Sequence, residues 1–464
     1  MKINLGQNEN IHLIGIGGIG MSGLAQIMKV MGFTVQGSDI YQNKNVENCK
    51  RLGIKFFLGH KKKHIKTATI IVKSSAIKNN NQELREAKKR KLPIYERVDM
   101  LSNIVSLKKN IIVTGAHGKT TTTSLVAKIL SESKLDPTII NGGVINSIKN
   151  NAKLGKGEWA VLEADESDGS FLKLPINYSI VTNIDHEHLD YYKNYNNLEK
   201  NFIKFINRTP PIGKCIICFD DKNIKKIKSK IRTKNLLTYG YDKKADYQII
   251  NTKYNNKNCK FDLLVKNFFG KKRLIKKIYL NLIGKYNILN STAAICVCIN
   301  LGIKIKTIKK ALQKFTGVQR RMTKIFEKNN NEFYDDYAHH PTEISSVLEG
   351  IREISNRKQI TAVFQPHRFS RMKLLKKEFS KAFKYSHKVV LCPVYAAGEK
   401  IDKNFDLLKL GKLISKNSKV IVIQVNNEDE LRNYFKRNLT KNEIIIGMGA
   451  GSITNWMRGL VKFL

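Results

Sequence analysis

The sequence predicts an α/β protein built as three sheet-bearing domains in series. Three observations predict it. The chain has 464 residues, more than one ordinary hydrophobic core accommodates. Short apolar runs alternate with segments of helical spacing along nearly its whole length. Two glycine-rich loops, Gly15–Gly20 and Gly115–Gly118, each stand between a strand-like run and a helix-like one.

The first domain, residues 1–107, opens with the strand Ile11 to Ile16. A helix from Met21 to Met31 follows, with Leu24, Ile27, Met28 and Met31 at helical spacing. Phe33 to Gln36, Ile54 to Leu58 and Thr69 to Val72 read as further strands, a parallel and Rossmann-like succession. The second domain, 108–317, begins with the strand Ile111 to Thr114, a phosphate-type loop and a helix from Thr120 to Ser131, the P-loop ATPase pattern. Its later strands are Trp159 to Glu163, Tyr178 to Thr182 and Cys215 to Phe219. Polar β-hairpins fill Asp246 to Leu282, and a small-residue helix runs from Asn287 to Asn300. The third domain, 318–464, carries strands at Phe333 to Asp336, Ile360 to Phe364, Lys388 to Cys392, Val420 to Val425 and Glu443 to Met448. Helix-like segments separate them, so it too reads as a Rossmann-like sheet.

Composition narrows the class. Lys and Arg outnumber Asp and Glu by 83 to 38, a net charge of +45. The excess is mostly Lys, spread along the whole chain among Ile and Asn and not concentrated where the chemistry lies. It therefore reads as a compositional bias with solvated faces, and no nucleic-acid partner is expected. Seven scattered cysteines suit a reducing compartment better than a disulfide framework. Cys215 and Cys218 form one CxxC inside an apolar strand, with no second pair to complete a zinc site. No run of 18 apolar residues and no signal-peptide pattern occurs, so a soluble cytoplasmic protein without membrane insertion is expected, as monomer or homodimer.

Gly15, Gly17, Gly18 and Gly20 form GxGxxG between strand and helix, with Ser38 and Asp39 ending the next strand. Glycines let backbone N–H groups approach a pyrophosphate at a helix N-terminus, and Asp39 can accept from a ribose. NAD and a UDP-sugar both offer those parts, so the motif alone leaves both open.

In Gly115-Ala116-His117-Gly118-Lys119-Thr120-Thr121 the spacing between glycines is two residues shorter than in the GxxxxGK[ST] loop. The chemistry is the same: backbone donors cradle phosphates, Lys119 reaches the terminal ones and a hydroxyl can bind magnesium. The acids Glu163, Asp165, Glu166 and Asp168 follow a strand and would repel one another without a cation, which suits magnesium beside ATP. Thr182-Asn183-Ile184-Asp185-His186-Glu187-His188-Leu189-Asp190 follows the next strand end. Its two nearby histidines lack a third nitrogen or sulfur ligand for zinc.

Together these segments resemble the Mur ligase superfamily, and within it the alanine-adding branch. The resemblance rests on Gly15–Ser22 with Gly37–Asp39, Gly115–Thr122, Glu163–Ser170, Thr182–Asp190, Asn287–Ala294, Gly317–Arg321, Asp335–Glu343 and Phe364–Arg371, in order along the chain. It implies an enzyme that uses ATP and Mg2+ to join L-alanine to the lactyl carboxylate of UDP-N-acetylmuramate. It further implies that Gly15, Gly17, Gly18, Gly20, Ser38, Asp39, Ser74, Ser75, His340 and Arg371 bind the UDP substrate. Gly115, Ala116, His117, Gly118, Lys119, Thr120, Thr121, Asn287, Asn290, Arg321 and Asp336 would bind ATP. Thr120, Glu163 and His188 would hold metal, and Lys119, Glu163, His188 and His367 would serve the chemistry, His367 as the base for the incoming amine. His339 falls in the same substrate-contacting segment.

Two departures stand out. Ala338 replaces a frequent glycine. No lysine of Leu198–Lys204 aligns with the carbamoylated lysine of later ligases, which fits the alanine-adding branch. A ligase that joins a whole tripeptide to the same sugar usually carries Tyr where Ser167 stands. A nicotinamide-dependent dehydrogenase would leave the phosphate loop and its acids unexplained, and a non-catalytic nucleotide switch would release no phosphate in response to an amine.

Overall fold

The computed structural model describes residues 5, 6, 8–255, 258–268, 270–355 and 358–464, and only the backbone of Leu189 and Asp190, the end of the histidine-bearing loop. It contains three sheets in series. The first is formed by β1 (Asn10–Ile14), β2 (Thr34–Asp39), β3 (Lys55–Leu58), β4 (Ile70–Lys73) and β5 (Ile94–Glu96), all parallel in the order β3-β2-β1-β4-β5. Its helices include α1 (Ile19–Val30), α2 (Lys44–Arg51), α3 (Gln82–Lys89) and α4 (Arg97–Val105). The chain leaves β1 toward β2 on one side and returns to β4 on the other. Ile14 pairs with both Ser38 and Lys73, so the loops after β1, β2 and β4 share one end of the sheet. Ligands of doubly wound sheets bind at such a switch point.

The second sheet has ten strands: β6 (Lys109–Thr114), β7 (Thr138–Ile145), β8 (Asn150–Lys153), β9 (Trp159–Glu163), β10 (Tyr178–Val181), β11 (Lys214–Cys218), β12 (Leu236–Gly240), β13 (Tyr247–Tyr254), β14 (Cys259–Phe268) and β15 (Lys271–Leu280). Their order is β15-β14-β13-β12-β11-β10-β6-β9-β7-β8. Parallel pairing sets Val113 against Glu163 and Thr114 against Val181. That register brings the ends of β6, β9 and β10 together. From β6 the chain enters α5 (Lys119–Glu132), whose residues 120–127 are all buried.

The third sheet, β16 (Thr323–Lys328), β17 (Asn331–Asp336), β18 (Gln359–Phe364), β19 (Lys388–Leu391), β20 (Ile421–Gln424) and β21 (Glu443–Met448), runs in the order β16-β17-β21-β18-β19-β20. Side chains alternate across it: Ile360, Ala362, Phe364, Ile444, Ile446 and Met448 enter one core cluster, Phe333, Val363, Val390 and Ile445 the other. Burial on both faces explains why these strands read as unbroken apolar runs. By compactness the chain divides into two units, Met1–Asn251 with Phe261–Ile278 and Leu289–Phe315, and Thr252–Lys260 with Tyr279–Ile288 and Thr316–Leu464.

The expected strands are present, with shifted ends. The first stops at Ile14 and not Ile16, because Gly15 takes φ +86° and turns the chain. The segment expected as polar hairpins forms the three long strands β13–β15. Strands β5, β7, β8, β12 and β16 were not expected. The sequence of β8, Asn-Asn-Ala-Lys, opposes a strand by propensity. Its amides instead bind α1: Asn150 Nδ2 donates to Gln26 Oε1 at 2.7 Å, and Asn151 Nδ2 to the Ile19 carbonyl at 2.8 Å. Cys215 and Cys218 are buried in β11, where burial pushes both thiols up to about 12.

Candidate active site

The first glycine loop hangs from the end of β2. The N–H groups of Gly15 and Ile16 donate to the Ser38 carbonyl at 2.8 and 3.0 Å, and that of Gly17 donates to Asp39 Oδ2 at 2.8 Å. Asn43 and Asn45 close over the other side, both donating to the Gly17 carbonyl. A Cβ on Gly17 would lie 2.9 Å from Asp39 Oδ2, so any larger residue there would have to displace the carboxylate that holds the loop. Gly18 precedes α1 as its N-cap and Gly20 lies in its first turn, where a Cβ would meet the Arg97 guanidinium at 3.1 Å. Ser74 follows β4 and stands beside Gly15, and Ser75 lines an open cleft of about 510 Å³.

That cleft is also lined by Lys73, Arg97, Asp168, Ser170, Lys173 and Tyr191. It joins the ends of the first sheet to the loop after β9, within one compact unit. Sequence reasoning did not single out Arg97, Lys173 or Tyr191. Each lies outside a recognisable motif, and only the fold brings them to the glycine loop and the acidic run.

The second glycine loop is held by the segment after β10. Thr182 Oγ1 and Asn183 Nδ2 donate to the His117 carbonyl at 2.6 and 3.0 Å, and Asn183 Oδ1 accepts from His117 N–H at 2.8 Å. The His117 ring meets Asp185 Oδ2 at 2.9 Å. Gly115 (φ +128°) and Gly118 (φ +83°) take backbone conformations that suit glycine, and side chains there would collide with Thr182 and Asn290. Asn290, expected from sequence at the nucleotide, therefore stands directly beside the loop. Ala116 and Thr121 are buried within it. Helix α5 starts at Lys119 with no acid in its first turn, leaving its positive end suited to an anion.

Lys119 Nζ lies 2.9 Å from Glu166 Oε2 and donates to the Gly115 and Ala116 carbonyls at 2.6 and 3.1 Å. Burial alone would lower its pKa, but the charges of Glu166 and Asp165 override it and hold the ammonium firmly protonated. Thr120 Oγ1 donates to Glu163 Oε1 at 3.0 Å, and Glu163 Oε2 accepts from Gly142 N–H at 2.6 Å. His188, at φ +58°, places Nε2 3.4 Å from Glu166 Oε1 and 3.7 Å from Glu187 Oε2. Burial opposes protonation of this ring, yet the Glu166 hydrogen bond and the acids around it raise its pKa.

Of the three residues expected to hold metal, Thr120 and Glu163 meet directly. His188 gathers instead with Asp165 and Glu166, whose ligand atoms lie within 4.8 Å of one another and of His188. Carboxylate and hydroxyl oxygens dominate both groups, the donor set a hard divalent cation takes. Glu166 had no assigned contact from sequence. It is the shared partner of Lys119 and His188.

The helix Lys285–Asn300 carries Asn287 and Asn290, both buried; Asn290 belongs to the first compact unit, and Asn287 with the remaining expected residues to the other. Asp336, at the end of β17, accepts from Met322 and Ala338 N–H at 2.8 and 2.7 Å; burial pushes its carboxyl up to about 6 against the pull of Arg321. Arg321 lies 3.8 Å from Glu343 and over the Tyr337 ring. His340 caps the helix Pro341–Ile354. His339 sits edge-on to His367, 5.6 Å between ring centres, and His367 stacks on Tyr395. Arg371 Nη1 stands 3.3 Å from His367 Nδ1. Burial, with Arg371 and Arg368 alongside, pushes the His367 imidazole down to about 4. These groups crowd the ends of β17, β18 and β21, whose register aligns Asp336 and Phe364 with Met448.

Residues 10–109 match the model of the Mur ligase family catalytic domain, 113–298 that of the Mur ligase middle domain, and 320–451 that of the Mur ligase glutamate ligase domain. The chain is 56% identical over 465 residues to a UDP-N-acetylmuramate–L-alanine ligase of Pelagibacter ubique, with 100% of both chains covered. Among solved structures it is similar to a UDP-N-acetylmuramate–alanine ligase of Thermotoga maritima, with a TM-score of 0.83, 28% identity and 98% of each chain covered. A murein peptide ligase of Psychrobacter arcticus shares the fold over 98% of each chain, at a TM-score of 0.72 and 21% identity. Among the described residues no helix is long and apolar enough to cross a membrane.

Proposed function

The chain belongs to the Mur ligase family, and on that premise we propose that it joins L-alanine to the lactyl carboxylate of UDP-N-acetylmuramate in peptidoglycan precursor synthesis. ATP is its energy source. The observation that carries the reading is the convergence of Lys119, Glu163, Glu166 and His188 on the loop Gly115–Thr121.

A carboxylate is a poor electrophile, so it first attacks the γ phosphorus of ATP in line. ADP leaves and an acyl phosphate forms. The loop amides and Lys119 hold the terminal phosphates and offset the charge of two approaching anions. Thr120 and Glu163 on one side, and Asp165, Glu166 and His188 on the other, would hold magnesium, which supplies further charge neutralisation when bound. The neutral amine of L-alanine then attacks the acyl carbon, and phosphate departs from the tetrahedral adduct as the amide forms.

Before that attack the donor's ammonium must lose a proton. His367 is the proposed acceptor, and its low pKa leaves it neutral and able to accept a hydrogen bond from the donor nitrogen. Full transfer to it from the donor's α-ammonium, a much weaker acid than the His367 imidazolium, is steeply uphill. His367 therefore orients the amine and holds the proton briefly, and does not act as a strong base. Asn287, Asn290, Arg321 and Asp336 complete the proposed ATP contacts; Ser38, Asp39, Ser74, Ser75, His340 and Arg371 join the first glycine loop in binding the UDP substrate. The domain limits 1–107, 108–317 and 318–464 belong to the same proposal, each enclosing one sheet.

The test is an amino-donor series with UDP-N-acetylmuramate, ATP and magnesium, read by phosphate release and product mass. L-alanine should give the fastest phosphate release and one alanyl amide per phosphate. Phosphate release indifferent to the amino donor would defeat the reading, and preference for a tripeptide would transfer it to the tripeptide-joining branch.

A further inference from the structure

Behind the first glycine loop lies a polar cluster of which only Ser38 has a role above. Glu83, in the first turn of α3, is fully buried among three histidines from three other segments. Its Oε2 lies 3.4 Å from Nε2 of His12 on β1 and 3.3 Å from Nδ1 of His60, just after β3. Its Oε1 lies 2.8 Å from Nδ1 of His64 in the short helix Lys62–Ile65. Ser38 Oγ on β2 donates to Oε2 at 2.5 Å and also lies 3.0 Å from His60 Nδ1.

The proton on one histidine is fixed by its surroundings. Gln36 Nε2 donates to the His64 carbonyl at 3.1 Å, which orients the amide, and the same nitrogen lies 3.3 Å from His12 Nδ1. His12 Nδ1 is therefore the acceptor, and its Nε2 carries the hydrogen toward Glu83. Burial would push the Glu83 carboxyl up, but hydrogen bonds from His12, His60 and Ser38 override it and hold it well below the usual carboxylate range. A buried carboxylate is costly, and an apolar side chain of similar volume would serve packing alone at least as well.

What Glu83 does hold is Ser38. The Ser38 carbonyl takes the Gly15 and Ile16 amides, and the adjacent Asp39 carboxylate takes that of Gly17. Three loop amides thus depend on Ser38 and its neighbour Asp39, and the Ser38 side chain is anchored by Glu83.

We propose that Glu83 is a positioning residue for the nucleotide diphosphate of the UDP substrate: through Ser38 it fixes the end of β2, and thereby the height of the loop Gly15–Gly17. The inference rests on the proposed binding of the UDP substrate at this loop. Glu83 touches no substrate. Its two oxygens divide the labour: Oε2 faces Ser38, His12 and His60, and Oε1 faces His64.

That division supplies the test. In the full-length protein, Glu83→Gln, Glu83→Leu and His64→Leu are compared for KM of UDP-N-acetylmuramate, KM of ATP, kcat, melting temperature and the calorimetric Kd of UDP. Glu83→Gln and Glu83→Leu should raise KM of the UDP substrate and Kd of UDP tenfold or more, with kcat and KM of ATP within twofold. His64→Leu should lower the melting temperature and leave UDP affinity within twofold. If Glu83→Gln does not fold, Glu83→Leu against His64→Leu carries the same contrast. Unchanged UDP affinity in both Glu83 variants, or affinity losses that simply follow melting temperature across all three, would overturn the inference. Failure of the unmodified protein to bind UDP would instead overturn the assignment of the loop.

Discussion

Lys119 Nζ lies 2.9 Å from Glu166 Oε2, so the cation of the phosphate loop is paired with a carboxylate supplied beyond the end of another strand. Glu166 is almost fully buried, with 2% of its side chain exposed. Removing the lysine leaves that charge without its strongest partner. Lys119→Met should cut ADP formation on the order of 10³-fold and lower stability by about 3 kcal/mol. The double variant Lys119→Met with Glu166→Gln should regain most of the stability and none of the activity. Near-normal ADP formation in Lys119→Met, measured by coupled assay, would remove Lys119 from phosphate binding.

Thr120 and Glu163 are proposed to hold magnesium through the hydroxyl and carboxylate that meet at 3.0 Å. Thr120→Ala and Glu163→Gln should each raise the magnesium concentration for half-maximal velocity about tenfold, an order of magnitude for one lost oxygen ligand. A magnesium titration that superimposes on that of the unmodified protein would exclude both as ligands.

His367 is held neutral by burial and by Arg371 and Arg368. Its protonation therefore produces no limb in the kcat profile between pH 6 and 8, because a group with pKa about 4 is already deprotonated there. His367→Gln, which keeps a hydrogen-bond acceptor, should retain more activity than His367→Ala, and both should raise KM for L-alanine. A limb near pH 6.5 that vanishes only in His367 variants would contradict this assignment.

Glu332 is pushed down to about 2: burial acts upward, but Lys358 at 2.7 Å, Tyr334 and Lys324 prevail. A depressed carboxyl pKa stabilises the fold above its unfolded value of about 4.3, and that contribution is lost as pH falls through the folded value. Glu332→Gln should cost about 1 kcal/mol at pH 7, discounted for partial exposure. In urea unfolding, its deficit against the unmodified protein should shrink between pH 5 and pH 3. A deficit constant over that range would show the ion pairs contribute nothing.

How much of this was legible in the sequence depends on how locally each feature is encoded. The two glycine loops were legible because strand, turn and helix stand consecutively, and the glycines answer to a backbone demand at the turn itself. The acids from Glu163 were legible as a cluster at a strand end for the same reason. Which acid meets which partner was not, since Lys119 finds Glu166 only through the register of β6 against β9. Glu83 offered no signal at all: its partners come from β1, β2 and the segment after β3, which only the fold brings together. The strand β8 stayed hidden because its asparagines satisfy α1, a tertiary requirement that overrides propensity.

Carboxylate activation is the centre of the account, and isotope transfer tests it most directly. UDP-N-acetylmuramate labelled with 18O in its lactyl carboxylate is turned over with ATP, magnesium and L-alanine, and the phosphate released is analysed by mass spectrometry. The account predicts one labelled oxygen in each phosphate, matched by one alanyl amide formed. Unlabelled phosphate alongside the amide product would contradict it.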